Sequence, residues 1–469
     1  MFQNLSDEIS LLIIKKLSIR DILSLLSVNK HLNHLISSNS IVWKNLYFNI
    51  FQQLIPFIAQ YKQNQCIQKE LSKLVLKDTE DSEDPGSKIN WKLRYLSYHT
   101  SESNWSNGRY QVTTIDGKQG GIFSLAFKKD LLITGSSDKL LKLWKLEKKD
   151  RNQPYTVRSF SEIPGHNGWI WSIQLKKSNC YSSCQNGDII VTPISQYLEN
   201  NFNNNNIHNE HPLPQPHHIH RIKGHKGAVW KTCVDRNSGN YLISCGSDST
   251  IKLWDIESKT LVSNVGRHMD CVLALSNNSH DTNIIASGST DHTVALWDYR
   301  TDEGPLQIIR GFSCSISSLD FKNHLLLSAA EDGYIRLNDI RMNNNNNSYN
   351  SNFIFKMLAH NDEIRVIRNK YNRLVTVSND RCVTVWDSSS LCSLDSQITQ
   401  KYQCKGHTGS VVSMMFSKDK IISGSLDSTI KIWDFSTTIK NQSKSGTTPC
   451  SKELKQQNKR NLLQRYWFN

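Results

Sequence analysis

The sequence predicts a multidomain chain: a small all-α domain and a helical linker, followed by an all-β domain of seven repeated units. Three observations carry this reading. A Trp-Asp pair recurs at Trp254-Asp255, Trp297-Asp298, Trp386-Asp387 and Trp433-Asp434, with altered versions at Trp144-Lys145, Thr192-Pro193 and Asn338-Asp339. The intervals are 41 to 48 residues, apart from one of 62 that holds a low-complexity insertion. Repetition at such a period decides architecture before any single residue does. Within a unit, short apolar runs alternate with turn chemistry. In 406–434 a Gly-His pair opens the unit, the runs Val411–Phe416 and Ile421–Ser423 follow, Gly424–Asp427 makes a polar turn, and an alternating run ends at Trp433. That pattern reads as three short strands. At the other end of the chain, Leu5, Ile9, Ile13 and Leu17 recur at four-residue spacing, which puts them on one helical face.

One such β unit cannot bury both faces of its sheet alone, whereas a ring of units packs sheet on sheet and leaves only short edges. The units resemble the WD-repeat family over roughly residues 105–435. The resemblance implies a seven-bladed all-β propeller with four-stranded blades. It also implies a hydrogen-bonded set in each blade: His225, Ser244, Asp248 and Trp254; His360, Thr376, Asp380 and Trp386; His407, Ser423, Asp427 and Trp433. A Ser/His/Asp set invites a hydrolase reading. Its recurrence in unit after unit, with a Trp member, marks a structural brace instead of a nucleophile–base pair. No catalytic residue is assigned, and the chain is not expected to be an enzyme.

The last unit ends its third strand at Trp433 and lacks a fourth of its own. The alternating run Tyr110–Ile115 is expected to fill that place and close the ring. The second unit keeps Gly165-His166 but has Asn186 and Thr192 in place of Asp and Trp. The fifth has Phe312 for His and Asn338 for Trp, and the fourth opens with an inserted residue, Gly266-Arg267-His268.

Residues 4–48 continue with short apolar stretches at Ile22–Val28 and Leu32–Ile36 and end near Trp43. Ser6 or Asp7 is placed to cap the first helix. Three short helices make too small a core to cover their own apolar surface, so a partner is expected there. This segment resembles the F-box, matching at Leu5, Glu8, Ile9, Ile13, Leu17, Asp21-Ile22, Val28 and Trp43, with Ser6 where Pro is usual. The resemblance implies docking on a Skp-type adaptor and, through it, on a cullin of a ubiquitin ligase. Leu5, Ile9, Ile13, Leu17, Ile22, Val28 and Trp43 would be the adaptor-binding residues. The domain expectation is F-box 1–48, helical linker 49–104, propeller 105–437 and basic tail 438–469. In the linker, helical spacing runs over Phe51–Leu76 and resumes over Asn90–Tyr98, with an acidic loop at Asp78–Asp84 between.

At 469 residues the chain exceeds one ring of about 330. Eleven Cys lie scattered without metal spacing and read as thiols of a reducing compartment. No apolar run reaches membrane-spanning length, and the opening MFQNLSDEIS is not a secretory signal. A cytoplasmic or nuclear location follows. Net charge is +14, part of it in 439–469, where seven Lys/Arg face one Glu. No basic stripe with interleaved aromatics accompanies it, so nucleic acid is not the expected partner. The five His within 199–220 fit no fixed metal site and the segment reads as disordered, as does the Asn343–Asn347 run a loop. No cofactor or metal is implied.

In ligase receptors of this architecture, two positions per blade meet the target. The first falls on Phe123, Trp171, Trp230, Leu273, Ser317, Arg365 and Val412. The second falls on Ser137, Gln185, Ser247, Thr290, Glu331, Asn379 and Leu426. Receptors of phosphorylated segments place Arg there, because guanidinium matches phosphate. Only Arg365 fits, with Lys231 nearby. The expected substrate site is therefore aromatic and apolar (Phe123, Trp169, Trp171, Trp230, Leu273), with at most one acidic or phosphorylated contact at Arg365. The expected function is a non-catalytic substrate receptor. The alternatives are a scaffold that binds the adaptor without a cullin, or a WD-repeat protein that engages RNA or acidic partners.

Overall fold

In a computed structural model of the chain, the described residues form twenty-eight strands, preceded by one α-helix. The structure describes residues 91–437 except 151–152, 177, 195–218, 236–239, 279–282, 302–303, 343–352 and 389–397. The F-box segment, most of the linker with its acidic loop, the His-rich and Asn-rich segments and the tail lie outside the described residues. The chain divides into two units, Met1–Trp105 and Ser106–Asn469.

Helix α1 (Trp91–Asn107) extends past the Asn90–Tyr98 reading. Its second half, SESNWSN, has no apolar period to announce it. It stops before Gly108, whose φ of 64° is left-handed backbone that glycine adopts without a Cβ clash.

Strand β1 (Gln111–Asp116) comes next. Blade 1 is β2 (Ile122–Lys128), β3 (Leu131–Ser136), β4 (Leu141–Glu147) and β5 (Thr156–Ile163); blade 2 is β6 (Ile170–Lys176), β7 (Asn179–Cys184), β8 (Asp188–Pro193) and β9 (His220–Lys223). Blade 3 is β10 (Val229–Val234), β11 (Tyr241–Gly246), β12 (Thr250–Asp255) and β13 (Leu261–Arg267); blade 4 is β14 (Val272–Asn277), β15 (Ile284–Ser289), β16 (Val294–Asp298) and β17 (Gln307–Ile309). Blade 5 is β18 (Ile316–Lys322), β19 (Leu325–Ala330), β20 (Tyr334–Asp339) and β21 (Phe355–Leu358); blade 6 is β22 (Ile364–Lys370), β23 (Arg373–Ser378), β24 (Cys382–Asp387) and β25 (Thr399–Lys405). Blade 7 is β26 (Val411–Phe416), β27 (Lys420–Ser425), β28 (Thr429–Asp434) and β1.

Every blade is an antiparallel meander, and its first strand packs on the first strand of the next blade all the way round, β26 returning to β2. This is a seven-bladed propeller. The core lies between blades. Ile133, Leu141 and Leu143 of blade 1 pack with Ile170 and Ile173 of blade 2, and Ile422, Ile430 and Ile432 of blade 7 pack with Ile115, Ile122 and Leu132.

Ring closure rests on β1 pairing with β28 in register from Gln111↔Asp434 to Asp116↔Thr429. More than one ladder holds the seam. Tyr110 sits edge-on to Trp433 at 5.4 Å and to Phe435 at 5.6 Å. Lys148 of blade 1 pairs with Asp434 and donates to Ser436 Oγ at 3.0 Å, and Ser413 Oγ donates to the Ile122 carbonyl at 3.1 Å.

In blades 3 and 4 the opening glycine packs flat on the indole that closes the blade. A Cβ on Gly224 would lie 2.4 Å from the Trp254 ring, and one on Gly266 would lie 2.3 Å from the Trp297 ring. Only glycine permits that approach.

Candidate functional site: the channel rim and its braces

The first strand of every blade carries a β-bulge at the same place. The pairing skips one residue between Ile122 and Ser124, Ile170 and Ser172, Val229 and Lys231, Val272 and Ala274, Ile316 and Ser318, Ile364 and Val366, and Val411 and Ser413. The skipped residues are Phe123, Trp171, Trp230, Leu273, Ser317, Arg365 and Val412, the first set of positions read from the sequence. A bulged residue has no ladder partner, and the kink re-aims its side chain. In blades 1, 2, 5 and 7 the next residue is a buried Ser, and Ser124 Oγ donates to the Ile170 carbonyl at 3.2 Å across the blade boundary.

The bulged residues Phe123, Trp171 and Val412 line a central cavity of about 440 Å³ together with Lys231 and Arg368. Burial, and then the Arg368 charge, lower the Lys231 ammonium to about 8. The second set of positions closes the same end of each blade. The amide of Gln185, for example, donates to the Trp169 carbonyl at 3.0 Å, and that of Glu331 to the Ser315 carbonyl at 3.1 Å.

Four aromatic side chains touch one another across blades 1 to 3. Phe123 stacks on Trp169 (5.6 Å, 17°) and meets Trp171 at 4.5 Å, and Trp171 meets Trp230 at 4.5 Å. Trp169 is 40% exposed. The Nε1 donors of Trp171 and Trp230 are buried without an acceptor. Leaving such a donor unpaired costs about 1–3 kcal/mol. Arg365, on the far side, is exposed. Its Nη1 lies 2.9 Å from Glu363 Oε1, and its Nε donates to Asn379 Oδ1 at 3.0 Å.

Behind the rim, the expected hydrogen-bonded sets are assembled. In blade 3, Trp254 Nε1 donates to Ser244 Oγ (2.7 Å), Ser244 Oγ meets His225 Nε2 (2.7 Å), and His225 Nδ1 meets Asp248 (3.0 Å). The carboxylate can only accept, so Nδ1 carries the hydrogen and Nε2 accepts from the serine. Blades 6 and 7 repeat this with His360, Thr376, Asp380 and Trp386, and with His407, Ser423, Asp427 and Trp433. Each Ser or Thr hydroxyl is fully buried beneath the indole, out of reach of any substrate. A further full set, His268, Ser287, Asp291 and Trp297, forms in blade 4. The inserted Arg267 hid it. The spacing that matters runs from the histidine onward and equals that of blade 3.

The units without the histidine are braced by a cation that the sequence reading missed. In blade 1, Lys142 Nζ donates to the Gly117 carbonyl at 2.8 Å and pairs with Asp138. In blade 5, Arg336 pairs with Asp332 and lies 5.2 Å over the Phe312 ring that replaces histidine. Both cations stand two residues before the position of the closing Trp. A basic residue there, in a unit lacking the histidine, is the signal that would have found them. In blade 2, Arg221 joins Asp188 (2.6 Å) to the Gly165 carbonyl (2.7 Å), while His166 keeps only its serine bond, 2.7 Å to Ser182, and its Nδ1 has no partner.

The buried imidazoles of His166, His225 and His407 are expected to make stability fall in mild acid. Burial, reinforced by Arg221, lowers His166 to about 3, and burial lowers His225 and His407 against their Asp partners. The folded pKa of His166 lies below the ordinary 6.5, so between those values the unfolded chain binds a proton that the folded chain refuses. Its contribution is complete above pH 6.5 and declines as pH falls toward 3. Burial works to raise Asp248, but the Thr250 hydroxyl, the Lys226 amide and His225 outweigh it and hold the carboxyl at about 2, so its contribution is lost only at lower pH. Thermal melts of a His166→Gln variant are expected to show a shallower fall in Tm between pH 6.5 and 4 than wild type. Parallel slopes would contradict the assignment.

Among the described residues, no helix is long and apolar enough to cross a membrane, and no group of three or more His, Cys, Asp or Glu is placed to hold a metal.

Comparison with known proteins agrees with this geometry. The WD domain, G-beta repeat family matches residues 109–145, 216–255, 259–298 and 398–434, and the F-box-like family matches residues 2–49. The chain is 26% identical over 308 residues to cell division control protein 4 of Saccharomyces cerevisiae, a match covering 60% of this chain and 37% of that one. It is 23% identical over 361 residues to an F-box/WD-40 repeat-containing protein of Arabidopsis thaliana, covering 71% of this chain and 60% of that one. In both cases the match spans less than two thirds of the relative's length. The crystal structure of the WD40 beta propeller domain of Doa1 aligns with a TM-score of 0.53 and 20% identity, covering 71% of this chain and 97% of that one, a likeness of fold. The chain thus combines an F-box-like domain, matched at residues 2–49, with WD repeats on a seven-bladed propeller.

Proposed function

We propose that this chain is the non-catalytic substrate-recognition subunit of a Skp–cullin–F-box ubiquitin ligase. The F-box-like segment docks on the Skp-type adaptor, and the propeller rim binds the protein to be modified. The receptor does no bond chemistry. It raises the effective concentration of the target near a ubiquitin-charged enzyme. The observation that supports this most is the aromatic cluster of Phe123, Trp169, Trp171 and Trp230 at the rim, with Trp169 exposed. Aromatic side chains in a partly desolvated pocket are the usual energetic centres of an interface.

The test is affinity purification of wild type beside a Trp171→Ala, Trp230→Ala double variant, with mass spectrometry of the partners. Truncating an interface centre costs about 2 kcal/mol or more, near thirtyfold in affinity. Both proteins are expected to recover adaptor and cullin, and only wild type to recover a third protein that becomes ubiquitinated. Identical partner sets would reject the rim as the target site. Adaptor without cullin would favour the scaffold reading.

A further inference from the structure

Each blade offers three positions to the channel mouth: the residue two before the bulge, the bulged residue itself, and the turn residue whose amide bonds back to the first. Around the seven blades only Glu331, Glu363 and Arg365 are charged among them. The one cation is engaged. Arg365 pairs with Glu363, Asn379 accepts from Arg365 Nε, and Asn379 Nδ2 donates to Glu363 Oε2 at 3.2 Å, closing a triangle within blade 6. Glu331, on the neighbouring blade 5, is exposed, and its carboxylate has no cationic partner among the described residues. It stands close enough to Glu363 that, after burial, Glu331 and Asp362 both push the Glu363 carboxyl up. In a ring of seven, blade 5 faces blades 1 and 2 across the channel, where Phe123, Trp169 and Trp171 sit. The rim is therefore aromatic on one side and carries an uncompensated negative charge on the other, although the chain as a whole is at +14. At contact distance local charge decides, since salt screens beyond about 8 Å.

We infer that the rim takes an unmodified, basic protein segment, with an aromatic or large aliphatic side chain on the Phe123–Trp171–Trp230 arc and a Lys or Arg on Glu331. This rests on the rim being the target-binding site. A phosphorylated segment is disfavoured. It would bring about two negative charges to Glu331, Asp362 and Glu363, and Arg365 could meet it only by abandoning a half-buried Glu363. The acidic contact that the sequence suggests at Arg365 is thus replaced by a basic contact one blade away.

The test is selection from a phage-displayed random-peptide library on the full-length protein. Four forms are used: wild type, Glu331→Gln, Glu331→Lys, and the Trp171→Ala, Trp230→Ala double variant. Wild type is expected to enrich peptides that combine an apolar anchor with Lys or Arg at one spacing. In a synthetic peptide of that type, Lys→Ala should weaken binding about tenfold. In Glu331→Gln that difference should vanish, and Glu331→Lys should come to prefer Asp or Glu. Apolar peptides without a basic preference, or acidic and phosphorylated ones, would overturn the inference and leave the rim as the target site. Peptides that bind the double Trp variant as well as wild type, or no enrichment at all, would overturn the rim reading and the inference with it.

Discussion

Replacing Ile9, Ile13 and Leu17 together by alanine is expected to remove the adaptor, and any cullin with it, from the purified protein. Their four-residue spacing predicts one helical face in the segment that matches the F-box-like family. Burying each against a partner contributes roughly 1.5–3 kcal/mol. Neighbouring losses do not add strictly, but even a sum of about 4 kcal/mol is near a thousandfold in affinity. Pull-down of the triple variant with the adaptor measures this directly. Its propeller should melt as in wild type, because the closing strand β1 and the seven blades lie elsewhere in the chain. Adaptor recovery equal to wild type would place the docking surface outside residues 4–48.

The largest expected loss of stability comes from Asp332→Ala in blade 5. Its partner Arg336 is 0% exposed, and Asp332 supplies the only carboxylate that the guanidinium meets among the described residues. The Phe312 and Phe353 rings lie 5.2 and 5.8 Å away. Burial works to raise the Asp332 carboxyl, yet the Arg336 hydrogen bonds outweigh it and hold the group below its ordinary range, a sign of a pair that is charged in the fold. Removing one member leaves a buried charge unmatched, at about 3–5 kcal/mol. Urea denaturation should show a lower midpoint of that size. An Asp332→Ala, Arg336→Met double variant should recover most of it, since an apolar chain tolerates the site. If the double variant is no better than the single, the cost lies in the turn and not in the orphaned cation.

Much of this protein can be read along the chain. The period of the Trp-Asp pairs announces seven blades, and the alternation within 406–434 matches β26 to β28 almost residue for residue. Tyr110–Ile115 identifies the closing strand to within one residue of β1. The helix through Asn107 was harder to see, because a polar helix with no apolar face leaves no periodic trace. The braces of blades 1 and 5 were invisible for another reason. A lysine or arginine on a β-strand ordinarily reads as solvated, and only the fold turns Lys142 and Arg336 inward to the acid that elsewhere meets a histidine.

The sequence by itself determined the fold class, the number of blades and the positions of the β-bulges. These are set by patterns local to one repeat, and each repeat supplies its own copy. Tertiary structure alone decided the electrical character of the rim. Glu331 and Glu363 belong to different blades, and Phe123, Trp171 and Trp230 to three more. Their meeting depends on a ring closed by β1 on β28, more than three hundred residues apart in sequence. Arg365 reads as a free cation in the chain and becomes a paired one in the fold, because the carboxylate two residues before it and the side-chain carbonyl of Asn379, in the turn after β23, reach it first.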